Sequence, residues 1–261
     1  MKTPATERFT SRVAAYRKYR PHYPKAVIQA LRERTGFEPR HIVADVGSGT
    51  GISSMLFLDN GNFVYGIEPN NAMREAQEEY LSTYKNFRSV EGTAETTTLP
   101  DHSVDYIVAG QSFHWFDQKR AAIEFQRILR DHGWLVILWN DRETDTTPFL
   151  RDYEALLQEF GTDYNEINHR NIDSKKVRAF FQNGHADSVP ILEMSFDNSQ
   201  HLNYDGLEGR LLSSSYVPNA RDPRSEPMRN NLRGIFNRHA VNGQIEMRYQ
   251  TLLYAGQFSR A

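Results

Sequence analysis

The sequence predicts an α/β fold: a three-layer doubly wound sandwich on a mostly parallel seven-stranded sheet, with an N-terminal helical lid and C-terminal helical cap insertions. Three observations predict it. First, a short apolar run, Ile42–Val46, opens into Gly47-Ser48-Gly49-Thr50-Gly51 and then into apolar residues of helical character, Ile52–Leu58. Strand, glycine-rich turn and helix open a doubly wound domain, whose ligands sit outside the carboxyl ends of the strands. Second, strand-like and helix-like segments alternate from Ile42 to Trp139, as a parallel sheet with crossovers requires. Third, beyond Pro148 helical segments interleave with two late strand-like runs that complete the sheet.

In chain order, Phe9–Tyr19 reads as a short amphipathic helix with Phe9, Val13 and Tyr16 on one face. Tyr19-Arg20-Pro21-His22-Tyr23-Pro24 follows as an extended link, because two prolines three apart cannot sit inside a helix. This arm reads equally as a packing element or as a lid with Tyr19, Arg20 and Tyr23 facing a ligand. Pro24 can open the next helix, whose apolar face is Val27, Ile28 and Leu31. Asn60-Gly61 stops the helix after the glycine turn, and Phe63–Ile67 is the second strand, ending on Glu68. A carboxylate there lies beside the glycine turn and can accept from both hydroxyls of a ribose, so the pair points to a ligand containing a nucleoside. Asn70 or Asn71 can cap the helix beginning at Ala72.

Phe87–Val90 is the third strand, and Val104–Ala109 the fourth, emptying into Gln111-Ser112-Phe113-His114-Trp115-Phe116. Asp117 caps a helix carrying Ala122, Phe125, Ile128 and Leu129, and His132-Gly133 reads as its end. Trp134–Trp139 is the fifth strand. Later come helices over Phe149–Phe160, Val177–Phe181, Leu207–Leu212 and Met228–Asn237, a polar stretch at Asn165–Arg170, and strands at Val189–Phe196 and Gln244–Gly256.

Composition narrows the function. The net charge is -2 and no long run of one sign appears, so nucleic acid is not expected as a partner. Cysteine is absent, which excludes disulfides, thiolate metal sites and a thiol nucleophile. No metal site is expected. No signal-like or membrane-spanning apolar run is seen, and a cytoplasmic location is the expectation. The turn is G-x-G-x-G, not the dinucleotide G-x-G-x-x-G, and it lacks the lysine of a P-loop.

As a set, these motifs resemble the class I S-adenosylmethionine-dependent methyltransferases. The match runs through Asp45–Gly51, Gly66-Ile67-Glu68-Pro69, Asn71-Ala72-Met73, Gly92-Thr93-Ala94-Glu95, and Glu124 with Arg127-Ile128-Leu129 before Gly133. The Tyr19–Pro24 arm, Gln111–Phe116 and the serine-rich turn with Tyr216 look like the branch containing trans-aconitate methyltransferase and similar small-molecule enzymes. The resemblance implies one Rossmann-like methyltransferase domain: residues 1–40 the lid arm and first helix, 41–145 the cofactor-binding core, 146–261 the helical cap and last two strands. It also implies S-adenosyl-L-methionine as cofactor, a small-molecule acceptor, and a monomer or homodimer.

It assigns roles as well. Main-chain groups of Gly47, Ser48, Gly49 and Gly51 contact the methionine part, with Arg20 in the same cofactor set, and Asp45 braces the turn. Glu68 takes the ribose hydroxyls. Pro69 and Met73 pack on the adenine face. Ala94, through its main chain, and Thr93 or Glu95 meet the adenine edge. Many relatives carry an acid where Thr93 stands; here it comes two places later, at Glu95. Gln111 and His114 line the path to the acceptor, and His114, Tyr19 and Tyr216 are the candidate catalytic residues.

Methyl transfer from a sulfonium is an in-line displacement with a neutral leaving group, and orientation alone can contribute ~7–11 kcal/mol. A carboxylate acceptor needs no base but needs a cationic or hydrogen-bonding cradle, for which Arg20, His22, His114, Tyr216 and Arg210 are candidates. A phenol or amine acceptor would use His114 as base. The competing readings are a macromolecular acceptor, a non-catalytic S-adenosylmethionine-binding module, and a nicotinamide-dependent dehydrogenase, the last disfavoured by the glycine spacing.

Overall fold

The computed structural model describes residues 12–162, 164, 174–182 and 190–258. Seven strands form one sheet: β1 (Ile42–Val46), β2 (Phe63–Ile67), β3 (Phe87–Val90), β4 (Val104–Gly110), β5 (Leu129–Arg142), β6 (Leu192–Leu202) and β7 (Ile245–Gly256). Their order is β3-β2-β1-β4-β5-β7-β6. Pairings among β1 to β5 are parallel, and β7 runs antiparallel to both β5 and β6. The order reverses between β1 and β4, which places a crevice at their carboxyl ends.

The described helices are α1 (Val13–Tyr19), α2 (Ala26–Thr35), α3 (Ile52–Asp59), α4 (Asn71–Tyr80), α5 (Gln118–Ile128), α6 (Pro148–Phe160), α7 (Ser174–Gln182), α8 (Tyr204–Leu212) and α9 (Ser225–His239). Val43, Val64, Val108 and Val136 pack on one sheet face against Val27 and Leu31 of α2 and Leu56 and Phe57 of α3. Ala44, Ile107, Leu135 and Ile137 pack on the other face against Ala122, Phe125 and Ile128 of α5 and Val177 and Phe181 of α7. These strand residues alternate between the two cores, as the two-residue side-chain period requires, and both faces are covered. A third core joins α6, α8 and α9 through Leu150, Leu157, Leu207, Leu211, Met228 and Leu232 to Met247 and Tyr249 of β7. This is the C-terminal helical cap.

Several boundaries differ from the sequence reading. The fifth helix ends at Ile128, not at His132-Gly133. The amides of His102 and Ser103 bond the carbonyls of Arg127 and Ile128, so no glycine cap is needed there. Leu129 already pairs with Val104, Trp134 pairs with Tyr106, and the register shifts in between. His132 takes a left-handed φ of 62° in that irregularity. A Cβ on Gly133 would lie 2.7 Å from a Leu129 methyl and 3.0 Å from the Asp105 carbonyl, so Gly133 serves close packing within the strand.

The sixth strand runs to Leu202, past the expected Phe196. Asp197-Asn198-Ser199-Gln200-His201 reads as loop by composition, yet every one of these residues pairs with β7. α8 begins at Tyr204, capped by Asn203, and α9 runs from Ser225 to His239. Asn70 is the cap of α4, accepting from the Met73 amide at 3.0 Å. Phe9, Asn165–Arg170 and Val189, which figured in the sequence reading, lie outside the described residues. Among the described residues no helix is long and apolar enough to cross a membrane.

Candidate active site

A cavity opens at the carboxyl ends of β1, β2, β4 and β5 and is roofed by α1 and the cap. Gly47, Gly49, Glu68, Pro69, Met73, Thr93, Ala94 and Glu95 line one side. Gln111, His114, Trp115, Trp139 and Asp141 line the middle, and Arg20, Arg142, Arg210 and Tyr216 the cap side. A smaller recess under α1 shares Arg20, Gly47, Gly49, Gln111 and Arg210 and adds Tyr23, Ser48 and Ser53.

The glycine turn is shaped by backbone angles closed to most residues. Gly47 has φ 67°, and a Cβ there would lie 2.6 Å from Cβ of Ser112. Ser112 in turn donates to the Val46 carbonyl at 2.7 Å, which locks the post-β4 turn onto the glycine turn. Gly51 (φ 89°) starts α3 and, like Asp45, does not line the cavity. Ser48 accepts from Nε2 of Gln77, a buried side chain on α4, at 2.6 Å.

Asp45 lies below the turn, where Ser53 and Ser54 donate to its Oδ2 at 2.7 and 2.6 Å. Burial outweighs those bonds and pushes its carboxyl from 3.8 up to about 6. Between these values the unfolded chain has released a proton that the folded chain keeps, so folding loses stability as pH rises through that window. Asp45→Asn therefore gains stability relative to wild type from about pH 4 to pH 6 and holds the gain above it. Urea midpoints measured across that range check this; a difference that does not vary with pH refutes it.

Glu68 ends β2 with its carboxylate toward the cavity. One oxygen accepts from the Gly49 amide and the other from the Asn70 amide, both at 2.9 Å, and burial raises its ionisation despite these bonds. The two amides fix the plane of the carboxylate and leave lone pairs for further donors. The loop after β3 is anchored from α5. Glu124 accepts from the Thr97 amide at 2.7 Å and from Arg127, while Arg127 also donates to the Leu99 carbonyl at 2.8 Å. The Arg127 pair and the Thr97 bonds hold the Glu124 carboxyl down at about 2. Thus the Glu124–Arg127 motif positions Thr93–Glu95 from behind. Glu95 accepts from the Asp117 amide at 2.8 Å, so its carboxylate also bridges to the start of α5.

Gln111 takes a left-handed φ of 56°, costly for a residue with a Cβ. Its Oε1 accepts from the Asn140 amide at 2.9 Å, tying the end of β4 to the end of β5. His114 lies against Trp115 and meets Trp139 edge-on, with centroids 4.4 and 5.2 Å away. Asn140 donates to the His22 carbonyl at 3.3 Å and fastens the arm to the sheet.

The arm is a lid over the site in part only. Tyr16 and Arg20, four residues apart on α1 and its exit, line the cavity, and Tyr23 lines the recess. Tyr19 does not: its ring packs over Gly209 of α8, where a Cβ would clash with it. His22 also stays outside the cavity and contributes its carbonyl.

Arg142, Tyr164, Trp139 and Asn140 line the cavity and were missed in the sequence. Asn140–Arg142 end the fifth strand, and the rule that ligands gather at strand carboxyl ends could have flagged them. Tyr164 and Arg142 are united only by folding. Among the described residues Nε of Arg20 and the indole nitrogen of Trp139 are buried without a hydrogen-bond partner. Such donors are costly to bury and point to a ligand that accepts from them.

Residues 44–137 match the family described as methyltransferase domain. An uncharacterized methyltransferase of Mycobacterium tuberculosis is 34% identical over 135 residues, which is 52% of this chain and 53% of that protein. The matched stretch thus spans about half the length of that relative. An uncharacterized methyltransferase-like protein of Schizosaccharomyces pombe is 23% identical over 253 residues, covering 95% of this chain and 94% of its own. A solved structure from Anaeromyxobacter dehalogenans, provisionally assigned as a type II methyltransferase, superposes with a TM-score of 0.64 at 20% identity. It covers 92% of this chain and 98% of its own. At that identity the superposition shows the shared fold.

Proposed function

We propose, from a chain that carries a methyltransferase domain over residues 44–137, that this protein transfers a methyl group from S-adenosylmethionine to a small acidic molecule. The observation that carries the donor is the pairing of the left-handed glycine turn with the Glu68 carboxylate on one cavity wall. The residues fit that cofactor. Glu68 would hold the ribose hydroxyls, Pro69 and Met73 the adenine face, and Thr93–Glu95 the adenine edge. Arg20, whose buried Nε has no partner among the described residues, would meet the methionine carboxylate.

The cofactor, when bound, supplies an electrophilic methyl on a sulfonium whose leaving group is a neutral thioether. The protein's part is to orient and desolvate. Gln111 fixes the mouth between β4 and β5, while His114 and Trp139 present polar edges on the acceptor path. Arg20, Arg142 and Arg210 on the cap side favour an acidic acceptor, which needs no general base. The branch of small-molecule enzymes that includes trans-aconitate methyltransferase fits this reading. A macromolecular acceptor is disfavoured by a cavity roofed by α1 and the cap.

Calorimetry tests the donor: S-adenosylmethionine and S-adenosylhomocysteine bind, and NAD does not compete. Incubation of metabolite pools with methyl-labelled cofactor then yields labelled esters of organic acids. Cofactor binding with no labelled product from any acid pool would favour a binding module and overturn the catalytic reading.

A further inference from the structure

On the cap side of the cavity, Arg20 and Arg210 meet no carboxylate among the described residues. Arg142 is paired, donating to Glu154 at 2.6 Å and to the Tyr164 hydroxyl at 3.0 Å. Arg210 is buried, and among the described residues its side chain bonds neutral groups, the Tyr249 hydroxyl and the Ser214 hydroxyl, each at 3.1 Å. Arg20 donates to the Ser213 carbonyl at 2.9 Å. A buried cation without a counter-ion is costly, so such an arrangement is suited to an incoming anion. The cofactor carboxylate accounts for one of the two unneutralised charges.

Tyr216 stands at this corner, buried and lining the cavity. It faces Arg20 from the arm, Arg142 from the end of β5 and Arg210 from α8, with the Ser214 hydroxyl beside it. Tyr153 of α6, Tyr164, and Tyr249 of β7 are among its described neighbours, and Glu154 of α6 bonds Tyr164. The Arg12 guanidinium is turned away, onto the carbonyls of Leu212, Ser214 and Val217. Burial alone would raise the phenol, yet Arg210, Arg20 and Arg142 outweigh it, and ionisation falls below the usual 10. Tyr216 is thus the group whose negative form competes for those guanidiniums.

We propose that Arg210 and Tyr216 form the subsite for an acid group of the acceptor, in which Arg210 is its counter-ion, the Tyr216 hydroxyl donates to it, and the Tyr216 phenolate excludes it. The proposal rests on the reading of an acidic small-molecule acceptor given above. Binding at high pH then carries one proton from solvent onto the Tyr216 oxygen, and ionisation of Tyr216 expels the anion. The subsite discriminates acids from neutral analogues, because a neutral group leaves Arg210 buried and unpaired.

The probe is succinate, titrated calorimetrically into the protein from pH 7 to pH 10, with and without S-adenosylhomocysteine. Tyrosinate absorbance near 295 nm is followed in parallel. In wild type, succinate affinity should fall by about tenfold per pH unit above the ionisation of Tyr216, and succinate should shift one tyrosine's titration upward. Tyr216→Phe should lose both effects while still binding succinate at pH 7, about tenfold more weakly. Arg210→Gln should bind succinate at least about 30-fold more weakly at pH 7 and keep its affinity for S-adenosylhomocysteine, with Arg210→Lys partly restoring succinate binding.

Equal succinate affinity in Arg210→Gln, no binding to wild type, or an unchanged tyrosine titration overturns the subsite. Should Arg210→Gln fail to fold, Tyr216→Phe decides alone. Loss of S-adenosylhomocysteine binding in wild type would instead overturn the methyl-donor reading and leave the succinate result standing.

Discussion

Glu68→Ala lowers the affinity for S-adenosylmethionine by on the order of 100-fold, about 3 kcal/mol, from the loss of charge-assisted hydrogen bonds to two ribose hydroxyls. The carboxylate does a second job in the folded protein, accepting from the Gly49 and Asn70 amides at 2.9 Å. Alanine therefore also loosens the glycine turn and the start of α4. Glu68→Gln separates the two roles. It keeps a carbonyl oxygen for one amide but loses the charge, and its affinity should fall between those of wild type and alanine. Calorimetry checks the series, and circular dichroism checks that α4 persists. Wild-type affinity in a folded Glu68→Ala protein would sink the ribose assignment.

Glu154→Ala destabilises the protein by about 3–5 kcal/mol, the typical cost of breaking a buried ion pair from one side. Arg142 and Glu154 meet at 2.6 Å with 10% of each side chain exposed. The Tyr164 hydroxyl also donates to Glu154 at 2.8 Å. Removing the acid leaves Arg142 buried near Arg210 and Arg20 without the pair's negative member. The double variant Arg142→Met with Glu154→Leu should recover most of the loss, because a well-packed apolar pair replaces a desolvated ionic one at little net cost. Urea unfolding of the single and double variants measures both. A loss below about 1 kcal/mol in Glu154→Ala would show that water or rearrangement compensates for the charge.

The glycine-turn wall of the candidate site was legible because it is local. Gly47–Gly51 follow β1 within one turn, and Glu68 ends the neighbouring strand, so the strand order of the fold brings them together. A cap at Asn70 or Asn71 and one at Asp117 follow from residue type and position, and the structure selects Asn70. The Glu124–Arg127 motif was visible, but its work was not: only packing shows that it holds the loop bearing Thr93–Glu95. The end of the fifth helix was misplaced because His132-Gly133 looks like a stop, whereas the capping amides come from His102 and Ser103, far back in the chain. The length of β6 was hidden because its polar half owes its structure to pairing with β7, not to its composition.

By itself, the sequence determined the doubly wound α/β class, the strand count and the pairing of the glycine turn with Glu68. Those depend on hydrophobic period and on glycine and carboxylate placement within a few residues of strand ends. Only the tertiary structure decided the cap side of the cavity. It turned Tyr19 away onto Gly209 and kept Tyr16 and Arg20 over the cavity. It also joined Arg142, Tyr164, Arg210 and Tyr216 across segments distant in the chain. Charge balance there depends on which guanidinium a carboxylate reaches in space, and Glu154 reaches Arg142 but not Arg210.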